Sequence, residues 1–513
     1  MSMSNKMKPL LLFVVLLMAA SSHAQKNSKP NIIIIYTDDL GYGDPSCYNP
    51  DSRLHTPNID QLAASGIRFT NGHATSATCT PSRYALLTGQ YPWKNKDAVV
   101  LPGDAPLIIS KRQLTIPAML KATGYRTGIV GKWHLGLGGA TQKNWNERIT
   151  PGTNELGFDY SFIFPATADR VPTIFMENGV TIGADPNDPI TVDYTKKIGS
   201  EPTGKENPEL LKMKSSPNHG HENTIVNGIG RIGFMTGGKT ARWTDEEIPF
   251  TFLDKAKTFI REHQTTPFFL YYALTEPHVP RMPSTAFKGK SGLGFRGDAI
   301  LQIDWAVGEI IAQLKAMDLY QNTLIIFSSD NGPVLDDGYE DGAVTQLNGH
   351  TPAGKLRGGK YSSFEAGTRV PTILSWPAKV KGNQVSNALV SQIDLLSSLA
   401  TLTGYKAPSA KIDDSQNQLN AWLGKDTEGR EYLIKNNGTQ ANVIIKGTWK
   451  LIKANNRQAK NLLTNTELGN LPQDQLYNLK DDMGERNNLA EKQPEMVKML
   501  TALIQAETAK SSQ

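Results

Sequence analysis

The residues best equipped for chemistry in this chain stand in short polar groups, each directly behind an apolar run. Asp38 and Asp39 follow "NIIIIYT", and Lys132 and His134 close "TGIVGKWHLG". Glu276 and His278 follow "FFLYYALT", while Asp330 and Asn331 follow "TLIIFSS". Asp38, Asp39, Asp330 and Asn331 offer only oxygen donors, most of them anionic. Such a set suits a hard cation, Ca²⁺ or Mg²⁺, better than zinc. The chain has no His-x-x-x-His or Cys-x-x-Cys pattern to argue otherwise. Lys132, His134 and His278, with Lys360 from "LRGGKYSSFEAGTRVP", add positive charge and proton carriers. A cation ringed by lysine and histidine suits a tetrahedral oxyanion, phosphate or sulfate, while an ester bond breaks. Lys355, nearby, reads as a solvated surface lysine. Cys79 opens "CTPSRYALLTG". Pro81 belongs in a first helical turn and Gly89 at a helix end, which puts Cys79 at a helix N-terminus, where backbone amides favour an anion. Arg83 lies one turn on, along the same face. A thiolate nucleophile is one reading, but sulfur suits a hard, oxygen-held cation poorly.

The elements that must position these groups are legible from periodicity. The apolar runs have the length of buried parallel strands. Helical patterns such as "TPNIDQLAASG", "TIPAMLKATG" and "DAILQIDWAVGEIIAQLKAMDL" lie between them. This alternation predicts an α/β fold, a mostly parallel sheet flanked by helices, with ligands beyond the carboxyl ends of the strands. Asp or Asn behind a single strand is an ordinary cap; several groups converging on one edge define a site. The sequence divides into a signal peptide over 1–24, a catalytic domain over 28–408 and a C-terminal α+β subdomain over 409–513. In the last, "EYLIKNNGTQANVIIKGTWKLIKA" alternates like antiparallel strands and "EMVKMLTALIQAETAK" reads as a closing helix. Residues 180–245 read as a loop-rich insertion near the substrate.

Composition narrows the class. The 513 residues carry a net charge of +5, of which Lys6 and Lys8 belong to the N-terminal segment. Lysines, an apolar run from Leu10 to Met18 and small residues up to Ala24 have the order of a cleaved secretory signal, so the chain is expected to be exported to the periplasm. The near-neutral remainder argues against a general nucleic-acid binder, and no later run is apolar enough to predict a membrane span. The two cysteines, Cys47 and Cys79, allow one bridge or two buried thiols.

With its motifs taken together, the sequence resembles the type I sulfatases of the alkaline phosphatase superfamily. Cys79-Thr80-Pro81-Ser82-Arg83 matches their Cys-x-Pro-x-Arg signature. "YTDDLGYGD", "TGIVGKWHLG", "EPHVP", "SSDNG", "GGKYSSFEAGTRVP" and "QLYNLKDDMGERNNLA" follow in family order, over nearly all of 30–490. The resemblance implies an alkaline-phosphatase-like fold and conversion of Cys79 to formylglycine (3-oxoalanine) by a formylglycine-generating maturase. It also implies one Ca²⁺ held by Asp38, Asp39, Asp330 and Asn331 together with the hydrated residue 79. Arg83 would support that residue, and Lys132 and Lys360 would hold sulfate oxygens. His278 would bind sulfate and protonate the leaving sugar oxygen, and His134 would position the hydrate and assist loss of sulfate. Because residue 79 must react, the resemblance also implies that Cys47 and Cys79 stay unpaired, with Cys47 a small buried thiol. Ala366 stands where the family usually has glycine, and Met483 where proline commonly follows Asp482; neither position carries a catalytic role.

"FPATADRVPTIFMENG", with Asp169 and Arg170, resembles carbohydrate sulfatases acting on galactose-type sugars. A carboxylate–guanidinium pair can hydrogen-bond an axial hydroxyl bidentately, and His219, His221 and Arg231 are expected to complete that pocket. The favoured substrate is 6-O-sulfated galactose or N-acetylgalactosamine at a glycan chain end. The alternatives are the 4-O-sulfate, a phosphodiester or phosphonate monoester, and a non-catalytic sulfated-glycan binder with unmodified Cys79.

Overall fold

The computed structural model describes residues 29–406, 414–437 and 440–510. The signal peptide assigned to 1–24 and the domain boundary at 408–409 lie outside the described residues. Among those described, no helix is long and apolar enough to cross a membrane.

A ten-stranded sheet organises the chain. Its strands are β1 (Asn31–Thr37), β2 (Ile67–Phe69), β3 (Arg126–Lys132), β4 (Tyr160–Phe164), β5 (Met176–Glu177), β6 (Val180–Thr181), β7 (Phe268–Ala273), β8 (Thr323–Ser329), β9 (Thr372–Ser375) and β10 (Gln384–Ser386). The order across the sheet is β10-β2-β9-β8-β1-β7-β3-β4-β5-β6. The middle, from β8 through β4, is parallel, and β9 runs against it. Every residue of β1 is buried, and alternate side chains serve opposite faces. Ile32, Ile34 and Tyr36 enter one apolar core, while Ile33 and Ile35 enter the other.

Helices cover both cores. Those of seven residues or more are, along the chain, α1 (Pro57–Ala64), α2 (Cys79–Thr88), α3 (Ile116–Ala122), α4 (Ile248–Glu262), α5 (Gly294–Ala316) and α6 (Leu395–Thr403). Apolar residues of α1, α4 and α5 pack with Ile33 and Ile35, and those of α2, α3 and α6 with Ile32 and Ile34. The fold is therefore the expected mostly parallel α/β layer structure. Helix α5 begins at Gly294, a turn earlier than the apolar pattern alone indicates.

The C-terminal region forms a separate antiparallel sheet, β11 (Tyr432–Asn437), β12 (Gln440–Lys446), β13 (Trp449–Ile452) and β14 (Gln475–Asn478), in that order. Helix α7 (Pro494–Ala509) closes it with Leu500 and Ile504. This core is shared: Tyr91, Phe364, Leu389 and Ile393 of the larger part are packed into it.

Register explains why the polar groups meet. Tyr36 pairs with Ala273 and with Ser328, and Ala273 with Gly131. Four adjacent parallel strands, β8, β1, β7 and β3, thus end at one level, and the residues just beyond them share one edge.

Candidate active site

Asp38, Asp39, Lys132, His134, His278, Asp330, Asn331 and Lys360 are all buried at that edge. Asp38 pairs with Lys132. Lys360 Nζ lies 2.9 Å from Asp39 Oδ2 and 2.8 Å from Asp337 Oδ2. Burial opposes the charge on Lys360, yet Asp337 and Asp39 outweigh it and hold its pKa well above the usual lysine value. Asp38 is pushed up to about 6, first by burial and then by Asp330. Burial also raises Asp39. Two buried carboxylates held above their usual range are short of positive charge.

The unmatched atoms bear on a cation. Asp38 Oδ1 and Asn331 Oδ1 are buried without a hydrogen-bond partner, a costly state for acceptors in a protein interior. Asn331 Nδ2 donates to Asp39 Oδ1 at 2.7 Å, beside them. One ligand atom each from Asp38, Asp39 and His278 lie within 4.8 Å of one another. Unpaired oxygens close to two carboxylates fit a hard divalent cation. Asp330 is partly occupied: its Oδ2 takes Arg83 Nε at 2.9 Å and Arg83 Nη2 at 2.8 Å. His278 joins the cluster by proximity, but imidazole nitrogen is the softer donor; its Nε2, 3.9 Å from Asp39 and from Asp337, is better suited to a substrate.

Cys79 opens α2, and all ten residues of that helix are buried. Gly89 ends it in the left-handed region, at φ 65°, which glycine adopts without a Cβ penalty. Thr80 Oγ1 donates to the His134 carbonyl at 3.0 Å, fastening the helix start to the loop after β3. Cys79 is a free thiol, and burial raises its pKa, the opposite of what a thiolate nucleophile needs. His134 Nε2 sits 2.9 Å from the Leu101 carbonyl, which makes Nε2 the protonated nitrogen. Its Nδ1 is buried without a partner. Burial, then Lys132 and Arg170, keep that ring neutral. His278 Nδ1 donates to the Val279 carbonyl at 2.8 Å, leaving Nε2 bare. Burial, then Lys360 and Lys132, lower its pKa well below the ordinary histidine value.

Cys79, His278 and Lys360 line one cavity of about 190 Å³, together with Asp169, Arg170 and His221. Arg170 Nη1 donates to both Asp169 oxygens, at 3.0 and 3.1 Å, and His221 Nε2 lies 3.0 Å from Asp169 Oδ2. Although burial opposes it, Arg170 and His221 hold Asp169 well below the usual carboxylate range. His219 lines the same cavity.

Arg231 corrects the sequence expectation. It is fully buried, grips Asp245 through both terminal nitrogens at 2.9 and 2.6 Å and donates to the Ala168 and Val226 carbonyls. It braces the loop that carries Asp169 and does not line the cavity. Cys47 is a free thiol as expected but only half-buried, in a turn whose Cys47 N–H donates to Asp60 Oδ1 at 2.9 Å.

Other residues at the site were not singled out from the sequence. Asp337 bridges Lys360 and His278 from a loop that is merely acidic in sequence. Tyr361, Asn461, Leu463 and Thr464 also line the cavity, the last three from the distant C-terminal region. Asp44, paired with Arg296 and His350, stiffens the turn after Asp39. The buried aspartate in "LGYGD" was the available clue to it.

An α/β sheet that gathers buried carboxylates, lysines and histidines at its carboxyl edge suits a hydrolase of the sulfate- and phosphate-ester class. Comparisons with known proteins make this specific: the sulfatase family model matches residues 30–405. An N-acetylgalactosamine-6-O-sulfatase of Bacteroides thetaiotaomicron is 52% identical over 507 residues, 98% of each chain. Human arylsulfatase A is 32% identical over 409 residues, 78% of this chain and 69% of its own. A solved Bacteroides thetaiotaomicron structure, from work on the metabolism of multiple glycosaminoglycans, superposes with a TM-score of 0.91 at 52% identity, over 94% of this chain and all of that one. The chain belongs to the sulfatase family and is a sulfuric ester hydrolase.

Proposed function

We propose that this protein is an exported carbohydrate sulfatase that removes a 6-O-sulfate from N-acetylgalactosamine or galactose at the end of a glycan chain. One observation carries the reading. The cavity of about 190 Å³ that holds Cys79, His278 and Lys360 also holds the linked trio Asp169, Arg170 and His221. A reacting centre and a hydroxyl-reading pair thus face the same small space. The 52% identity to an N-acetylgalactosamine-6-O-sulfatase supports the same choice.

In this reading residues 28–408 carry the chemistry and 409–513 form the accessory subdomain. Asp38, Asp39, Asp330 and Asn331 hold Ca²⁺ with residue 79. When bound, the ion supplies Lewis-acid polarisation and neutralises the buried carboxylates. Residue 79, matured to formylglycine and hydrated, would offer a hydroxyl as the nucleophile toward sulfur, its proton passing to the neighbouring Asp38 and Asp330 carboxylates. As the S–O bond to the sugar breaks, the bonding pair stays with the sugar oxygen, and His278 gives that oxygen a proton from Nε2. The ring is neutral in the ligand-free site; an anionic ester placed beside Lys132 and Lys360 favours its protonated form. Each lysine has three donors, so it can keep its carboxylate and still hold a sulfate oxygen. His134, with Nδ1 bare, would accept a proton from a second hydroxyl on residue 79 and so assist loss of sulfate. Arg83 locks Asp330 in place, and Asp169 with Arg170 reads the axial hydroxyl at O4.

The test is turnover of purified, matured enzyme on 6-O-sulfated and 4-O-sulfated N-acetylgalactosamine and on a phosphate ester. Preference for the 6-O-sulfate is expected. Preference for the 4-O-sulfate moves the assignment to that position, and inactivity on both sugars overturns it. Mass analysis of the peptide containing residue 79 reports its conversion from thiol to aldehyde.

A further inference from the structure

Two aspartates line the cavity around Cys79. Asp169 belongs to the sugar-reading trio, but Asp337 has no part in the chemistry set out above. Its Oδ2 lies 2.8 Å from Lys360 Nζ and 3.9 Å from His278 Nε2. It stands apart from Asp38, Asp39 and His278, whose ligand atoms gather as a cation would need. Although burial opposes its charge, Lys360 holds its carboxyl below the usual carboxylate range. A carboxylate therefore faces the chamber that has to receive an anion.

The backbone keeps it there. Arg281 donates to the Val334 and Leu335 carbonyls at 3.0 and 2.9 Å and to Asp341 Oδ2 at 2.7 Å. Ser216 Oγ donates to Asp336 Oδ1 at 3.0 Å, and the Tyr339 hydroxyl to the Gly230 carbonyl at 2.7 Å. Gly338, at φ 112°, lies so close to the His221 ring that a Cβ would sit 2.1 Å from Nδ1. The loop is thus fastened on both sides of Asp337.

Electrostatics gives such a group a task. Lys360 Nζ carries three hydrogens; Asp39 takes one at 2.9 Å and Asp337 another. Tetrahedral geometry puts an ester oxygen on the third about 4–5 Å from Asp337, close enough for strong repulsion in a buried site. That repulsion scales with the charge of the incoming group. A sulfate monoester carries one negative charge, whereas a phosphate monoester carries nearly two above its second pKa of about 6. Hydrolysis changes the charge as well. The S–O bond to the sugar breaks, the oxygen of water ends on sulfur, and one proton goes to the sugar oxygen and one to solvent. A monoanion enters and dianionic sulfate leaves.

We propose that Asp337 is a specificity-determining residue that reads the charge of the bound group: it admits the monoanionic sulfate ester and disfavours dianions, both a phosphate monoester and the sulfate product. The proposal rests on the role given to Lys360 above and adds what its second carboxylate does.

The test uses matured, Ca²⁺-loaded wild type, Asp337→Asn and Asp337→Glu at about pH 8, above the second phosphate pKa. The substrate is 6-O-sulfated N-acetylgalactosamine; inorganic sulfate and N-acetylgalactosamine 6-phosphate are the competing dianions. Wild type should bind the sulfate ester more tightly than the 6-phosphate, and the reverse overturns the proposal before any variant is made. Asp337→Asn should lower both inhibition constants about tenfold and KM only about threefold, since half the charge feels half the repulsion. Asp337→Glu should keep the wild-type ratios. Equal shifts for ester and dianions, no shift, or the same loss of discrimination in Asp337→Glu overturn the proposal. So does a KM that rises in Asp337→Asn while inorganic sulfate binds as before, which would make Asp337 a reader of a sugar hydroxyl. Calorimetric titration with inorganic sulfate needs no turnover. Wild type inactive on the sugar sulfate therefore overturns the substrate assignment, while the titration still decides the role of Asp337.

Discussion

His278 meets opposing demands. Burial, Lys360 and Lys132 all disfavour its charged form, yet the proposed mechanism asks it to protonate a departing alkoxide. The conflict disappears once an anionic ester enters the pocket, because the protonated state then has a partner. His278→Ala should therefore lower kcat by about 10²- to 10⁴-fold on a sugar sulfate. The deficit should shrink on an aryl sulfate, whose phenoxide leaves without a proton. Steady-state kinetics on both substrates checks this; an equal loss on both would assign His278 to binding alone. At this scale the strand-end motifs announced that Asp38, Asp39, Lys132, His278, Asp330 and Asn331 would gather at one edge, because type and position coincide there. Asp337 and Thr464 carried no such mark. Their roles come from where their loops fold, and local sequence does not encode that. Arg231 misled because an arginine amid histidines looks like a ligand group, whereas its partner Asp245 lies fourteen residues away in an unpatterned stretch.

Elements were legible where one period ran unbroken. The isoleucines of β1 and the aromatic run of β7 are buried on both faces, as only central strands are. Site loops instead depart from ordinary backbone geometry. Asp39, His134 and Tyr361 have φ of 64°, 55° and 72°, a region that strains residues other than glycine and is held only by surrounding contacts. Tyr361 is anchored by its N–H to the Ala77 carbonyl at 2.8 Å. The glycine of "SSDNG" has a steric reason. A Cβ on Gly332 would lie 1.6 Å from the Ala366 carbonyl oxygen, which belongs to backbone and cannot rotate away. Gly332→Ala should cost about 1–3 kcal/mol and displace neighbouring Asn331. The expected outcome is a lower unfolding midpoint with a larger proportional loss of activity. A variant with wild-type midpoint and kinetics would show that the loop yields freely.

At the scale of the whole molecule, two of the buried charge clusters each predict a stability effect. The first is the carboxylate edge. If Ca²⁺ binds the native state alone, a free concentration 100 times its Kd adds ~2.7 kcal/mol. Chelation should thus lower the thermal midpoint, Ca²⁺ should restore it, and calorimetry before and after dialysis reads the change even without turnover. The second joins the large sheet to the C-terminal one. Lys450 Nζ lies 2.9 Å from Glu365 Oε1 and 2.7 Å from Glu485 Oε1, with all three side chains fully buried. Glu365 also faces Lys435 and Arg369, at 3.4 and 3.3 Å, and it sits in the segment that presents Lys360. The network therefore ties the accessory sheet to the catalytic edge, a link that residues 70 or more apart in sequence do not announce. Removing one partner of a buried ion pair costs about 3–5 kcal/mol, because a charge is left without compensation. Lys450→Met should approach that loss, with Glu485 the group left short, since Glu365 keeps Lys435 and Arg369. Adding Glu485→Gln should recover much of it, as the remaining amide needs no counter-charge. Denaturant unfolding of the single and double variants separates this account from simple packing damage: if the second change recovers nothing, size and shape at position 450 matter more than charge.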